Sequence, residues 1–239
     1  MDSVKIKDKK NTRMVAHKGL SGIERENTVA SFIAAANRSY FGIEADVHLT
    51  ADGKFVVIHD KNTLSMSGVD LCVHDENFDK IREINLYDSD GTPRADLKIP
   101  SLEEYIRVCK RYDKEAVLEL KYIMPKEAIE EICNIIKQLN YLEKTTFISF
   151  DIENLICVRE LYSNVQIQYL TCEFNDETVK LLKKYNMDLD IDYPSVNKEL
   201  VDRCHSEGIV VNCWTVDDIG IANELINMGV DFITTNILE

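Results

Sequence analysis

Residues 42–60 read Gly42-Ile43-Glu44-Ala45-Asp46-Val47-His48-Leu49-Thr50-Ala51-Asp52-Gly53-Lys54-Phe55-Val56-Val57-Ile58-His59-Asp60. Two apolar runs, 42–50 and 55–59, are separated only by Ala51-Asp52-Gly53-Lys54. Asp-Gly between two such runs is a hairpin signal, so the two strands are antiparallel. Outward from this hairpin, short apolar runs recur at 14–17, 116–121, 146–150, 166–171, 188–192, 209–215 and 231–235. Stretches with helical spacing lie between most of them, at 28–40, 101–112, 128–139, 152–162, 176–185, 197–207 and 219–228. In the first, Val29, Phe32, Ile33 and Ala36 share one face. Gly208 and Gly229 follow two of the helical stretches, a normal stop signal. Strand–helix alternation implies a parallel sheet, and setting aside the hairpin arm leaves eight strands that can be parallel. Eight strand–helix units in about 250 residues is the arithmetic of a TIM (β/α)8 barrel. An open doubly wound sheet is the alternative, and it would normally show a GxGxxG loop, which is absent. The fold expected is α/β, a barrel with a β-hairpin and a small insertion at 61–100, all in one domain spanning 1–239.

Composition agrees with a globular chain. Hydrophobic residues are 45% of the 239 and charged residues 29%, which excludes a disordered tail or a low-complexity fibre. Lys and Arg number 28 against 42 Asp and Glu, a formal charge of −14. That surface repels nucleic-acid phosphates and anionic headgroups, so neither nucleic acid nor a stable membrane association is expected. The seven Cys form no CxxC pair, which reads as reduced, mostly buried thiols. The N-terminal segment lacks an apolar signal region, and its Lys-rich stretch at 5–10 reads as a solvated tail. A cytoplasmic location is expected.

Polar residues fall where barrel active sites lie, at strand ends. They are His17 and Lys18 after the first run, Glu44 and Asp46 in the second, His59 after the hairpin arm, and Glu119 and Lys121 in the run at 116–121. Period-two alternation puts Glu44 with Asp46, and Glu119 with Lys121, on shared faces. If Asp52 and Gly53 are the two central turn residues, Asp46 lies opposite His59, and His59 joins the carboxylates. Three converging carboxylates favour protonation or a bound cation. Hard oxygen donors suit a divalent cation, Mg²⁺ or Ca²⁺. Two His can supply an acid and a base, and Lys18 and Lys121 can hold an anionic substrate. Asn27-Thr28 reads as a helix N-cap. Trp214 either walls a pocket or fills the barrel top, while His48, His74 and His205 carry no pattern and read as surface or structural residues.

Nine pieces in this order resemble one motif series. They are Ala16-His17-Lys18-Gly19, Glu26-Asn27-Thr28, Glu44-Ala45-Asp46-Val47, Thr50-Ala51-Asp52-Gly53, Ile58-His59-Asp60, Ile99-Pro100-Ser101-Leu102-Glu103, Glu119-Leu120-Lys121, Ser149-Phe150 and Trp214-Thr215-Val216. The chain from about residue 14 to its end resembles the glycerophosphodiester phosphodiesterase family, itself similar to bacterial phosphatidylinositol-specific phospholipases C. The resemblance implies a TIM-barrel enzyme that hydrolyses glycerophosphodiesters to an alcohol and sn-glycerol 3-phosphate. It implies a divalent cation on Glu44, Asp46 and Glu119, and His17 with His59 as the acid–base pair. Lys18, Lys121, Phe150 and Trp214 would bind substrate. The relation to the phospholipases suggests attack by the substrate's own 2-hydroxyl and a cyclic phosphate that water then opens. Three positions depart from the family pattern: Lys18 stands for the usual Arg, Arg25 for Pro, and Asn236 for the Asp of a Thr-Asp pair. Lysine lacks the bidentate fork of arginine, so the departures bear on substrate positioning. The rival readings are a non-catalytic barrel, another metal-dependent barrel enzyme and a relative acting on lysophospholipids.

Overall fold

The computed structural model describes residues 2–239. Strand β1 (Arg13–Ala16) leads to helix α1 (Val29–Ala36), then to β2 (Gly42–Leu49) and its hairpin partner β3 (Phe55–Val57). The insertion follows, with short helices α2 (Leu64–Ser67) and α3 (Phe78–Glu83) and a two-stranded ribbon, β4 (Leu86–Tyr87) and β5 (Pro93–Arg94). Regular alternation then resumes through α4 (Leu102–Tyr112), β6 (Glu115–Leu120), α5 (Lys126–Gln138), β7 (Thr145–Ser149) and α6 (Ile152–Leu161). It ends with β8 (Gln166–Thr171), α7 (Asp176–Tyr185), β9 (Asp188–Asp192), α8 (Lys198–Ser206), β10 (Val211–Trp214), α9 (Ile219–Met228) and β11 (Phe232–Thr235). Every expected barrel strand and helix is present, with ends shifted by a few residues. Parallel pairing runs from β2 through β6, β7, β8, β9, β10 and β11 to β1, and β1 pairs β2 to close the ring. The fold is a TIM barrel of eight parallel strands, with β3 outside the ring as an antiparallel arm on β2.

Alternation along the strands separates two cores. Ile43, Ala45 and Val47 point outward and pack with Phe32, Tyr105 and Ile106 under the helices. Val15, Val117, Ile148 and Leu170 fill the barrel interior. Tyr105 is fully buried, and its hydroxyl reaches the carbonyls of Ile43 at 2.7 Å and Val117 at 3.2 Å, tying α4 to β2 and β6. The segment at 5–10 is more than a solvated tail. Ile6 is buried, and Val4 pairs with Leu238 through bonds such as Val4 N–H to the Ile237 carbonyl at 3.0 Å. Five of the seven free cysteines are buried and Cys172 is exposed. No helix of the described residues is long and apolar enough to cross a membrane.

The hairpin register differs from the expected one. Val47 pairs Val57, His48 pairs Val56 and Leu49 pairs Phe55. The loop therefore has three residues, Ala51, Asp52 and Gly53, closed by mutual bonding of Thr50 and Lys54. Gly53 takes φ +76°, the left-handed position a three-residue turn with a bulge requires. This register sets Asp46 level with Ile58, not His59, and the Ile58 N–H donates to the Asp46 carbonyl at 3.0 Å. His59 lies beyond the ladder, where the chain turns into the insertion.

The insertion is more ordered than its sparse apolar pattern suggested. Val73, Ile81, Leu86, Leu97 and Ile99 form a small core against Val56 and Ile58 of the hairpin arm. Arg82 forks onto the Glu104 carboxylate, with one bond at 2.9 Å, and so joins the insertion to the first turn of α4.

Candidate active site

Glu44, Asp46 and Glu119 project from β2 and β6 into the barrel, because they alternate with the outward-facing Ala45, Val47, Leu118 and Leu120. Glu119 is level with Asp46 in the ladder. Each carboxylate offers an oxygen within 4.8 Å of the other two, and all three residues are buried. Lys121 Nζ bridges two of them, at 3.0 Å from Glu119 and 3.3 Å from Asp46. Burial, then the Asp46 and Glu119 charges, pushes the Glu44 carboxyl well above its usual range. Burial and Asp46 likewise push Glu119 up to about 8. Asp46 is fully buried too, but Lys121, His59 and a hydrogen bond from Asn27 outweigh that burial and hold it low. Glu44 Oε1 is buried without any partner. A buried carboxylate oxygen with no donor costs free energy unless something cationic or protic meets it. The three-carboxylate donor set and this orphaned atom fit a hard divalent cation.

The loop after β1 folds against the same carboxylates. Lys18 takes φ +54°, and its backbone N–H donates to Glu44 Oε2 at 2.7 Å. Gly19 follows at φ +76°, where a Cβ would come within 2.4 Å of the Ser31 hydroxyl, so only glycine lets the loop lie on α1. The Lys18 ammonium is paired with Glu26 at 3.1 Å. Arg25 reaches over to the Ser65 carbonyl of the insertion at 3.1 Å.

The Asn27-Thr28 pair divides its work. Thr28 is the N-cap of α1 and forms a capping box with Ser31. Asn27 is fully buried at φ +51°, and its amide donates to Asp46 Oδ2 at 2.8 Å while accepting from the Asp46 N–H at 3.3 Å. Sequence reasoning missed this role. Its one signal was an Asn at a site where any capping residue would serve.

His17 accompanies the carboxylates with Nε2 4.0 Å from Glu44 Oε2. Its Nδ1 lies 2.8 Å from Asn236 Oδ1. The Asn236 amide donates to Asp217 at 2.6 Å, which leaves its oxygen for His17. An amide oxygen only accepts, so Nδ1 carries the proton and Nε2 the lone pair. Burial, aided by the Lys18 charge, lowers the His17 pKa and keeps the ring neutral. In the sequence Asp217 carries no signal beyond following the Trp-Thr-Val piece, and Asn236 stands out only as a departure from the family pattern.

His59, half-buried, places Nδ1 2.9 Å from Asp60 Oδ1, and Ser65 steadies the other Asp60 oxygen at 2.7 Å. The His59 bond, then the Ser65 bond, lowers the Asp60 pKa, so Asp60 stays anionic beside the ring. His59 and Asp60 line a cleft of about 560 Å³ with Glu119, Lys121, Tyr122, Phe150 and Asp151. His17 and Lys18 line a second cleft of about 490 Å³. Phe150 and Trp214 meet edge to face, 5.6 Å between centroids, and Phe150 is exposed. Of the three His without a pattern, His48 is fully buried and held down to about 4 by burial, while His205 pairs with Asp231 at 2.9 Å. His48 also contacts His74 and the His59 carbonyl.

The site thus holds three buried carboxylates, one bridging ammonium and two histidines on separate loops. Comparison with known proteins gives a consistent result. Residues 17–239 match the model of the glycerophosphoryl diester phosphodiesterase family. A glycerophosphodiester phosphodiesterase from Caldanaerobacter subterraneus subsp. tengcongensis is 31% identical over 228 residues, 94% of each chain. The crystal structure of one from Parabacteroides distasonis aligns with a TM-score of 0.78 at 29% identity, covering 96% of this chain and 94% of that one. An Oleispira antarctica phosphodiesterase, solved with its product sn-glycerol-3-phosphate, shares the fold with a TM-score of 0.86 at 24% identity, over 94% of this chain and 92% of that one.

Proposed function

The chain belongs to the glycerophosphoryl diester phosphodiesterase family, and we propose that it hydrolyses glycerophosphodiesters to an alcohol and sn-glycerol 3-phosphate with a divalent cation and two histidines. The observation that carries this reading is the buried group of Glu44, Asp46 and Glu119, with its unpartnered Glu44 oxygen. Those three residues would hold Mg²⁺ or Ca²⁺, which when bound supplies Lewis-acid stabilisation of the phosphoryl oxygens. We take the 239 residues as one phosphodiesterase domain, with 61–100 inserted in it.

The residue environments favour one division of the proton transfers. His17 is neutral with a free Nε2 lone pair, so it takes the proton from the attacking hydroxyl. His59 donates Nδ1–H to the anionic Asp60, which fixes the ring at the cleft, and as the general acid it passes a proton from Nε2 to the leaving alkoxide. With the substrate's 2-hydroxyl as nucleophile, the product of that step is a cyclic phosphate. Opening it with water runs the two roles in reverse. Lys121, beside Asp46 and Glu119, meets the charge of the diester, while Lys18 fixes Glu44 through its backbone N–H. Phe150 and Trp214 offer an apolar wall to the glycerol or the alcohol.

The test is release of glycerol 3-phosphate from a panel of glycerophosphodiesters, before and after chelation and with Mg²⁺ or Ca²⁺ added back. Full turnover in excess chelator after dialysis would remove the cation from the mechanism. His17→Ala and His59→Ala should each lower kcat by at least about 10²-fold. The double variant should be little worse than the worse single, since paired residues are not additive. One observation favours a second substrate class. Tyr122, Ile123 and Phe150 are exposed large apolar residues, and Tyr122 and Phe150 line the larger cleft. Such a rim suits a lysophospholipid, so the panel includes one. A higher kcat/KM for it than for any water-soluble diester would assign the chain to that class.

A further inference from the structure

β3 ends at Val57, and the Ile58 N–H is the last donor into β2. His59 therefore leaves the ladder with its position set by side chains. Its carbonyl meets His48 Nε2 at 3.1 Å. His48 belongs to β2, two residues beyond Asp46, and is fully buried. A carbonyl only accepts, so His48 Nε2 carries hydrogen and the neutral ring presents its lone pair at Nδ1. That lone pair faces His74 Nε2 at 3.1 Å, which supplies the matching N–H. His74 is anchored by its neighbour Val73, part of the insertion's core. Tyr122, just past Lys121, closes the cluster edge to face, 5.4 Å from His48 and 5.6 Å from His74.

We propose that His48 is a positioning residue, holding the His59 backbone by an Nε2–H bond, with His74 of the insertion fixing the tautomer that makes this bond. The inference rests on the reading of His59 as a reacting group. It gives the insertion a part in the chemistry: His74 acts on His48, His48 on the His59 main chain, and the His59 ring on the substrate. A backbone that drifts here carries the imidazole away from the leaving oxygen without touching the carboxylates. Loss should therefore fall on kcat more than on KM.

The experiment pairs kinetics with a tautomer measurement. His48→Ala should lower kcat about 10–100-fold while KM stays within about threefold, the mark of misplaced chemistry. His48→Gln keeps an N–H at the ε position and should recover kcat to within about fivefold of the parent. His48→Asn, which places its amide at the δ position, should not. His74→Phe keeps the ring packing but loses the donor, and should lower kcat about 3–10-fold. Long-range proton–nitrogen spectra of the parent should show His48 as the Nε2–H tautomer. An Nδ1–H tautomer overturns the proposal, as does parent-like kcat in folded His48→Ala. Recovery by Asn in place of Gln also overturns it. If His48→Ala does not fold, the Gln–Asn contrast and the spectra decide. His59→Ala in the same assay tests the underlying reading separately. Near-parent turnover there removes both readings, whereas an inactive His59→Ala beside a fully active His48→Ala removes only this one.

Discussion

Asn27 sits behind the carboxylates and has two jobs at one residue. Its amide serves both the Asp46 carboxylate and the Asp46 N–H, and its φ of +51° suits Asn better than residues with an ordinary Cβ. Asn27→Ala leaves two buried Asp46 groups short of partners and strains the turn. Groups that orient a metal ligand typically matter 10–100-fold in affinity, and a loss of about that size is expected for Mg²⁺. Calorimetric titration checks it, and unchanged affinity would separate Asn27 from the site. Protonation adds a second expectation at the same residues. Glu119, held up to about 8, carries a proton near neutrality when no cation is bound, and burial favours the protonated form of Glu44 as well. A cation must displace them. Apparent affinity should therefore rise as pH is raised toward about 8, approaching tenfold per pH unit for each proton displaced. Titration in buffers of different ionisation enthalpy should show proton release. Flat affinity from pH 5.5 to 9 would contradict the raised carboxyls.

At the scale of elements, α4 shows how a capping choice joins two parts of the chain. Ser101 and Glu104 form a capping box, and the same Glu104 receives the Arg82 fork from the insertion. Ser101→Ala should cost about 1 kcal/mol of stability, the usual worth of an N-cap. Arg82→Lys should also lower the melting temperature, because lysine cannot make the fork. If neither change moves it, the insertion is not docked through this helix start. Much of this level was legible in the sequence, because strands and helices announce themselves by period. Ile43, Ala45 and Val47 could only face outward if Glu44 and Asp46 face in. The hairpin register was not legible. Asp-Gly is compatible with a two- or a three-residue loop, and Thr50 bonding Lys54 selects the longer one. His59 still borders the site for another reason: the chain turns after Ile58, and the His59 carbonyl meets His48 Nε2. The links through His48, Asn236 and Asp217 join residues far apart in sequence or lying in loops, where no period reports on contact.

The whole molecule carries excess negative charge, and several of its carboxyls are buried. Asp188 is one outside the site: burial lifts it to about 6, although the Val210 N–H donates to it at 2.9 Å. Asp190, inside the barrel, is raised well above its usual range by burial, as are Glu44 and Glu119. A carboxyl raised on folding binds more protons folded than unfolded, so its contribution is full below the unfolded value and lost as pH rises through the folded one. For Asp188 the window runs from 3.8 to about 6. Asp46, Asp60 and Glu104 are lowered instead, and their contributions are lost as pH falls through their folded values. The two sets oppose each other, so the cation-free protein should be most stable in mildly acidic solution and weaken toward pH 8. Asp188→Asn removes one raised group while its amide oxygen still accepts from Val210. It should raise stability at pH 7.5 by about 1–2 kcal/mol, after discounting for partial exposure, and change it little at pH 3.5. Thermal unfolding in chelator at several pH values, for the parent and this variant, measures both. Added Mg²⁺ should shift the parent's optimum to higher pH, because a bound cation replaces protons at Glu44 and Glu119. It should leave the Asp188→Asn difference unchanged, because Asp188 is no part of the donor set. A parent more stable at pH 8 than at pH 6 in chelator would mean that these carboxyls are ionised and paired in the fold.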